Sequence, residues 1–507
     1  MTHVVIVGGG TAGAVLAARL SEDPLAHVTL VEAGSIADTP AELRDGASLR
    51  ALGSEHPANW GYRGWLQPSR SQIVPRGRIL GGSSAINGGY FIRARPQDFA
   101  RWADVAGLEW SYDRALPLLK KMETDLDFGD QASHGDSGPI KVRRPSQSGP
   151  LATLFTRAAQ ELGFVLEPDK NLYSGEIGVG PVPSNIIDGD RVNTAMAYLS
   201  DARHRPNLRI IGDTRVLRVR IEHGKAVGVD TEHGAIDADE VILAAGSVAT
   251  PHLLMLSGVG PAEQLNKFGI GIVSDLPVGE NFSDHPNLSL GWHSAESLVE
   301  PAERYAFPTA LNFDSSGSSG DFVDGDLEIL LSVKPMRILQ DPSVPLQSGE
   351  EGDELHFIVS LQSPVGRGRL SLASGNPLVQ PRIDYDYLQD DIDKARLRVG
   401  VRTAADLLHS SAFEGHFLRF ASLTEEILED DERLDAWITT NLSTAIHLSG
   451  TAPMGPVVDW QGRVHGVDAL RVADTSMLPM VPSRGTFNVA VFIGEFIAHH
   501  MRHRSSI

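Results

Sequence analysis

Residues 4–20 read VVIVGGGTAGAVLAARL, and this stretch decides the fold of the chain. Four consecutive apolar residues predict a buried strand, the glycines predict a tight turn, and the run that follows predicts a helix. Gly8, Gly10 and Gly13 fall on the G-x-G-x-x-G spacing. That spacing permits the turn, a close approach of the backbone to a pyrophosphate, and close packing of the helix on the strand.

The residues around this turn extend the same interpretation. The predicted helix begins at Thr11 and Ala12, where free N–H groups and the positive end of the helix dipole are available to phosphates. A second predicted strand over 28–31 ends at Glu32, which Ala33 follows. Glu32 comes about 20 residues after the turn, as expected of a carboxylate that accepts hydrogen bonds from a ribose. The pattern therefore predicts a dinucleotide-binding fold, with NAD and FAD both open at this point.

Composition narrows the class of protein further. The chain has 507 residues, which favours two closely packed domains, and its 41% hydrophobic and 21% charged residues are typical of a soluble globular protein. The net charge of −21 argues against nucleic acid or an anionic membrane as a partner. The absence of cysteine excludes disulfides, thiolate metal sites and iron–sulfur clusters. We find neither a secretory signal nor an apolar run long enough to span a bilayer, so we expect a cytoplasmic protein.

Periodicity predicts the remaining elements. Helices are predicted over 112–122, 150–162, 253–256 and 397–408, after Thr424, and from about Val489. Strands are predicted over 208–211, 216–221, 226–231 and 240–245, as an antiparallel run that returns to the main sheet. Further strands are predicted over 327–333, 356–361, 368–372 and 470–474, and exposed loops over 314–326 and 340–353.

Four stretches of the chain resemble the glucose–methanol–choline (GMC) oxidoreductases in their order and spacing. They are residues 4–20, 77–87 (GRILGGSSAIN), 246–260 (GSVATPHLLMLSGVG), and the C-terminal pair 445–455 (AIHLSGTAPMG) and 470–479 (LRVADTSMLP). The resemblance implies an α/β fold with a Rossmann-like FAD-binding domain and a second, discontinuous substrate domain built on an antiparallel sheet. We expect residues 1–289 to be mainly FAD-binding, 290–445 mainly substrate-binding, and 446–507 to complete the FAD domain.

The resemblance also implies the cofactor and its contacts. Beyond the nucleotide turn, the positions that match FAD-binding residues of the family are Gly81, Gly82, Ser83, Asn87, Gly88, Val216, Ala245, Gly246 and Asp474. Ile86 stands where some family members carry the histidine that links FAD covalently. Because isoleucine has no nucleophilic atom, we expect FAD to bind noncovalently. We expect no metal ion in the site.

Family members oxidise an alcohol by removing the hydroxyl proton and passing a hydride to flavin N5. His447 matches the active-site histidine of the family, and an imidazole suits a base that works near neutral pH. The family places a second His or Asn near the end of the chain, but the ungapped counterpart here is Gly485. Asn488 is the nearest side chain of the right type, and we expect it to take that role, although it could instead contact the flavin or cap the final helix.

Short matches at 87–91, 123–129 and 447–455 resemble the mycofactocin-associated GMC dehydrogenases. That branch implies oxidation of a reduced redox carrier, with electrons passed to a respiratory or quinone-type acceptor and the enzyme peripheral to the membrane. The alternative is an oxidase or dehydrogenase of small primary or aromatic alcohols, with O₂ among the possible acceptors. A hydroxynitrile lyase of the same fold, which keeps FAD without net redox chemistry, also stays open.

Overall fold

The computed structural model describes residues 2–172, 176–300, 303–315, 324–333 and 354–503. Two sheets organise the chain. The first is a parallel nucleotide-binding sheet whose five strands run, from one edge to the other, Leu208–Ile211, Ala26–Val31, Thr2–Val7, Glu240–Leu243 and Leu470–Val472. The helix Thr11–Leu20 lies on this sheet and packs against the final helix, Phe487–Arg502.

The second sheet is antiparallel and has seven strands. Its path is Phe417–Phe420, Pro286–Ser294, Glu354–Leu361, Leu327–Ser332, Thr309–Phe313 and Val179–Pro181, and Leu442–Thr444 also pairs with Pro286–Ser294. The helix Asp391–His409 packs across its central strands. At Gly400 that packing is so close that a Cβ would lie 2.6 Å from the Val359 side chain.

Smaller elements complete the described chain. The remaining sheets comprise Val216–Glu222 with Lys225–Thr231 and Gly234–Asp237; Arg369–Ser371 with Arg382–Asp384, Tyr62–Gln67 and Arg70–Val74; and the pairs Glu123–Asp125 with Ile140–Val142, Val259–Gly260 with Ser274–Asp275, and Ile186–Ile187 with Asp190–Arg191. The other α-helices are Ala41–Arg44, Pro96–Ala106, Tyr112–Lys121, Pro150–Glu161, Ser200–Ala202, Gly246–Leu256, Ala262–Lys267, Glu425–Glu429 and Asp431–Asn441. Single turns of 3₁₀-helix cover Arg50–Leu52, Gly82–Ala85, Leu108–Trp110, Ser411–Phe413 and Thr475–Met477, and Ala195–Leu199 is a π-helix.

One predicted element was wrong in its pairing. Residues 208–211 do form a strand, but it lies parallel at the edge of the nucleotide-binding sheet and not in an antiparallel run. The antiparallel ribbon instead gains Gly234–Asp237, which the prediction missed. Periodicity reports which side chains are buried but carries no information about the direction of the neighbouring strand.

The predicted loops over 314–326 and 340–353 lie partly or wholly outside the described residues. At the described end of the first, Asp326 is buried and accepts a hydrogen bond from the Ser315 hydroxyl at 2.6 Å. Within the described part of the chain, no helix has both the length and the apolar character needed to cross a membrane.

Candidate functional site

A cavity of about 350 Å³ lies where the nucleotide-binding sheet, the second sheet and the final helix meet. It is lined by most of the residues that the sequence singles out for FAD: Gly8, Gly10, Thr11, Ala12, Glu32, Ala33, Gly82, Ser83, Asn87, Gly88, Val216, Ala245, Gly246 and Asp474. Gly13 and Gly81 are not among the lining residues. A Cβ at Gly13 would lie 1.9 Å from the carbonyl oxygen of Gly8, so this glycine serves the packing of helix on strand.

The two glycine loops touch each other at the cavity wall. Gly8 has a φ of 98°, and a Cβ on it would lie 2.7 Å from the Ala244 carbonyl oxygen. A Cβ on Gly82 would lie 2.6 Å from the Cα of Gly10. The Gly81 N–H donates to the Gly9 carbonyl at 2.8 Å, which ties the loops together. Bare backbone therefore forms this wall, as a closely approaching cofactor requires.

Three helices begin at the cavity: Thr11–Leu20, Gly246–Leu256 and Phe487–Arg502. None of the three has a side-chain hydrogen bond at its N-cap. Their positive dipole ends therefore face the cavity, which suits an anionic ligand, and of their first N–H groups that of Gly246 already donates to Asp474. With the bare glycine wall, this arrangement fits the phosphates of a dinucleotide.

Two buried carboxylates shape the ends of these elements. Glu32 accepts hydrogen bonds from the N–H groups of Gly9 and Gly34, each at 2.8 Å, and burial raises the pKa of its carboxyl to about 7. Asp474 accepts from the Gly246 N–H at 2.8 Å and the Thr250 hydroxyl at 2.6 Å, and burial raises its pKa as well. Both carboxylates therefore order the loops that form the cavity, in addition to lining it.

His447 stands on a constrained segment of backbone beside this cavity. Its N–H donates to Oδ1 of Asp284 at 2.7 Å, and Oδ2 of the same carboxylate accepts from the Thr444 hydroxyl at 2.8 Å. The residue before it, Ile446, has a φ of 67°, a left-handed conformation that β-branched residues rarely adopt. Such strain persists only where the surroundings enforce it, which is typical of a functional position.

A second histidine, His285, determines which nitrogen of His447 is free. The Pro482 carbonyl can only accept, and it lies 2.8 Å from Nε2 of His285, so Nε2 carries the hydrogen. Nδ1 of His285 is then an acceptor, and it lies 3.0 Å from Nδ1 of His447. His447 must therefore donate from Nδ1, which leaves the lone pair on its Nε2.

Both imidazoles are neutral at ordinary pH. Burial, with the nearby His285 and Arg76, lowers the pKa of His447 well below its usual value. Burial also lowers the pKa of His285 to about 4. A neutral His447 with a free Nε2 can accept a proton, which is the requirement for a general base.

Asn488, which the sequence predicts as the second catalytic residue, lies outside the cavity lining. Its side chain is fully buried, and neither amide atom has a hydrogen-bond partner among the residues that the structure describes. Gly485 does line the cavity, and a Cβ there would lie 2.8 Å from the Tyr90 ring. The aromatic ring of Tyr90 thus occupies the space beside the position where the family carries its second polar side chain.

The part of the cavity beside the second sheet contains residues that the sequence analysis did not name as site residues. They include Tyr90, Asn287, Phe307, Glu328, Leu330 and Gln362. Oε2 of Glu328 accepts from the Tyr90 hydroxyl at 2.7 Å and from Nδ2 of Asn312 at 3.1 Å. Tyr90 lies in the matched segment 87–91, whereas the others come from distant parts of the second sheet and its neighbours, where no local motif marks them.

A buried cluster apart from this cavity combines three carboxylates with three basic side chains: Glu123, Asp125, Asp169, Arg93, Arg144 and His134. Ligand atoms of Glu123, Asp125 and His134 lie within 4.8 Å of one another. Burial opposes protonation of His134, but hydrogen bonds to the carboxylates raise its pKa to about 10. With His134 protonated, three positive side chains balance three carboxylates, so these residues form an internal ion network.

Comparison with known proteins defines the class. The family model for the N-terminal region of GMC oxidoreductases matches residues 2–287, and the model for the C-terminal region matches residues 364–494. The chain belongs to the GMC oxidoreductase family. Membership confirms the predicted fold class, the dependence on FAD, and an oxidoreductase that acts on CH–OH groups.

Individual relatives cover nearly the whole chain. A protein of Rhodococcus erythropolis described as an uncharacterized GMC-type oxidoreductase is 40% identical, over 97% of this chain and 96% of the relative. An oxygen-dependent choline dehydrogenase of Serratia proteamaculans is 34% identical, over 99% of this chain and 96% of the relative. The crystal structure of a pyridoxine 4-oxidase from Mesorbium loti superposes with a TM-score of 0.90 at 29% identity, covering 99% of this chain and 100% of that one.

Proposed function

We propose that the protein oxidises a small alcohol to an aldehyde or ketone, with noncovalently bound FAD as hydride acceptor and His447 as the base. The observation that supports this most directly is the hydrogen-bond chain from the Pro482 carbonyl through His285 to His447. It leaves the lone pair of a neutral imidazole on Nε2, the one ring nitrogen of His447 not engaged by His285. That nitrogen would accept the proton of the alcohol hydroxyl, while the hydride from the carbon that bears this hydroxyl would pass to the flavin.

The residues that would hold FAD are those of the glycine wall and the three helix N-termini. Gly8, Gly10 and Thr11 would receive the ADP phosphates, Glu32 the ribose, and Val216 the adenine. Gly82, Ser83 and Asn87 would lie along the pyrophosphate and the ring system. Ile86 lines the cavity but offers no atom for a covalent link.

The part of the cavity beside the second sheet favours an alcohol with a second polar or cationic group. Glu328 has only 4% of its surface exposed, and it adds a carboxyl group to a wall that also contains the apolar side chains of Phe307, Leu330 and Ile358. A buried carboxylate at an apolar wall stabilises a positive charge or a hydrogen-bond donor on the ligand. Relatives named for choline and pyridoxine act on alcohols of this kind.

Oxidation of reduced mycofactocin, with transfer of electrons to a respiratory acceptor, is the second candidate. The matches over 87–91 and 447–455 support it, because both segments contribute cavity residues. The match over 123–129 does not bear on substrate choice, since Glu123 and Asp125 belong to the buried ion network.

Anaerobic mixing of the FAD-loaded enzyme with alcohols tests the proposal. We expect choline to bleach the flavin faster than its uncharged isostere 3,3-dimethylbutan-1-ol, and Glu328→Gln to reduce that difference. His447→Ala should slow bleaching by about 10²–10⁴ while FAD stays bound. Fast bleaching by the His447→Ala protein, or release of cyanide from a cyanohydrin without bleaching, would overturn the proposal. Readmitted air then separates an oxidase from a dehydrogenase by the rate at which the yellow colour returns.

A further inference from the structure

A second cavity of about 340 Å³ lies behind the segment that carries Gly485, and it shares no lining residue with the catalytic cavity. Its wall includes four basic side chains, Arg93, Arg95, Lys170 and Arg484, and two acidic ones, Glu167 and Asp324. The four basic residues are at least nine-tenths buried. Carboxylates outside the lining also act on these cations, namely Glu123 on Arg93, Asp98 on Arg95 and Glu328 on Lys170. Unpaired N–H donors, and not the charge count, therefore mark the place for a ligand.

Most of these cations have partners. Arg93 pairs with Glu123, outside the cavity. Glu167 is shared by Lys170 at 2.6 Å and Arg484 at 3.1 Å, so one carboxylate compensates two cations. Lys170 also donates to the Gly178 carbonyl at 3.0 Å.

Arg95 differs from its neighbours. Its Nε and Nη2 are buried, and within the described part of the chain they have no hydrogen-bond partner and the side chain forms no ion pair. Arg484 likewise has a buried Nε without a partner. Burial and the charge of Arg484 lower the pKa of Arg95 to about 10, while the carboxylates of Glu167 and Asp98 act in the opposite direction. Buried guanidinium N–H groups left unpaired are rare in folded proteins and call for a ligand or ordered water.

We propose that this second cavity binds a small oxyanion, a phosphate or a carboxylate, between the guanidinium groups of Arg95 and Arg484. Guanidinium groups match oxyanions because their planar N–H donors form paired, charge-assisted hydrogen bonds. The lining of Ala94, Pro96 and Ile177 leaves apolar space for a short organic body attached to the anionic group. The site lies next to the catalytic cavity, because Arg484 immediately precedes Gly485, and Lys170 contacts Asn312, which in turn contacts Glu328.

Titration calorimetry on the FAD-loaded enzyme at fixed ionic strength tests this proposal, with inorganic phosphate and succinate as probes and chloride as the balancing ion. We expect saturable binding, and the tighter of the two probes identifies the kind of oxyanion. Arg95→Met should weaken binding by about tenfold or more, since it removes charge-assisted hydrogen bonds. The matched control is Arg114→Met, an exposed arginine on the helix Tyr112–Lys121, which should bind as the wild type does. Absence of saturable binding by either probe, or wild-type affinity in Arg95→Met, would overturn the proposal.

Thermal unfolding separates a ligand-binding arginine from a merely structural one. Without added oxyanion, Arg95→Met should melt at or above the wild-type temperature, because it removes a buried charge that has no partner. Phosphate should raise the melting temperature of the wild type but not that of the variant. A variant that melts well below the wild type in the absence of oxyanion would assign Arg95 a structural role and count against the site.

Discussion

His447 and His285 show how much of the proposed chemistry depends on single hydrogen bonds. The carbonyl of Pro482 cannot donate, and that one restriction propagates through His285 to place the lone pair of His447 on Nε2. His285 is thus a positioning residue, since it acts on the reaction through His447. In histidines generally, the hydrogen-bond partner of one ring nitrogen determines whether the other nitrogen carries the proton.

Replacing His285 with phenylalanine removes this control. We expect kcat to fall by at least about tenfold, because part of the His447 population then carries its hydrogen on Nε2. Loss of the neighbouring imidazole also raises the pKa of His447, so the acid limb of the pH–rate profile should move to higher pH. Steady-state kinetics across pH measures both effects, with His204→Asn, at an exposed site, as the control. A slower enzyme with an unmoved acid limb would contradict the role assigned to His285.

At the scale of elements, the turn between the first strand and the first helix restricts Gly8 in two ways, through its backbone conformation and through the space around it. Its φ of 98° is unfavourable for any side chain, and a Cβ there would also clash with the Ala244 carbonyl. Gly224 offers a matched control, since its φ is 78° but a Cβ would meet no atom within 4 Å. The two glycines therefore separate backbone strain from steric conflict.

Gly224→Ala should cost about 1–2 kcal/mol of unfolding free energy, the penalty of a left-handed conformation alone. Gly8→Ala should cost more, and it should also lower the FAD content of the purified protein because the strand, the turn and the Ala244 loop must move apart. Thermal melts and the ratio of flavin to protein absorbance measure these effects. Equal losses of stability in the two variants, with full FAD content, would show that the turn tolerates the clash.

The ion network around His134 ties the strands Glu123–Asp125 and Ile140–Val142 to the loop that carries Asp169. Because hydrogen bonds to the carboxylates raise the pKa of His134 from 6.5 to about 10, the folded state binds one more proton than the unfolded state between these values. The stabilisation is complete below pH 6.5 and is lost as the pH rises through 10.

We therefore expect the free energy of unfolding to fall as the pH rises from about 7 to 10, and His134→Gln to flatten that part of the curve. Urea unfolding at several pH values measures the slope. The wild type and the variant should differ most near pH 7, where the folded wild type holds the extra proton. Parallel curves for the two proteins over this range would contradict a protonated His134.

For the whole molecule, the sequence predicted elements that depend on neighbouring residues, and it missed contacts between residues that are far apart along the chain. The glycine turn and Glu32 are encoded in a short contiguous pattern. The helix predicted over 253–256 is present but begins seven residues earlier, at Gly246. His285 and His447 are 162 residues apart, and their contact depends on the second sheet placing Pro286–Ser294 beside Leu442–Thr444. Glu328 and the direction of Leu208–Ile211 escape local patterns for the same reason. The role predicted for Asn488 stays a prediction, and its buried position away from the lining residues does not favour it.

The catalytic cavity draws its lining from both main sheets, for instance Val7 and Val31 from the first and Leu330 and Ile358 from the second. FAD bound there would contact both sheets, so its removal should lower the free energy of unfolding of the whole molecule. We expect added FAD to raise the melting temperature of the flavin-depleted protein. At 100 times its Kd, FAD adds about 2.7 kcal/mol to the free energy of unfolding.

Because Ile86 offers no nucleophile, acid precipitation of the loaded enzyme should leave a colourless pellet and a yellow supernatant. Ile86→Ala should behave in the same way, since neither side chain can form the bond. A yellow pellet from the wild type would show a covalent link through another residue of the cavity. A melting temperature that does not respond to FAD would show that the folded protein does not bind the cofactor.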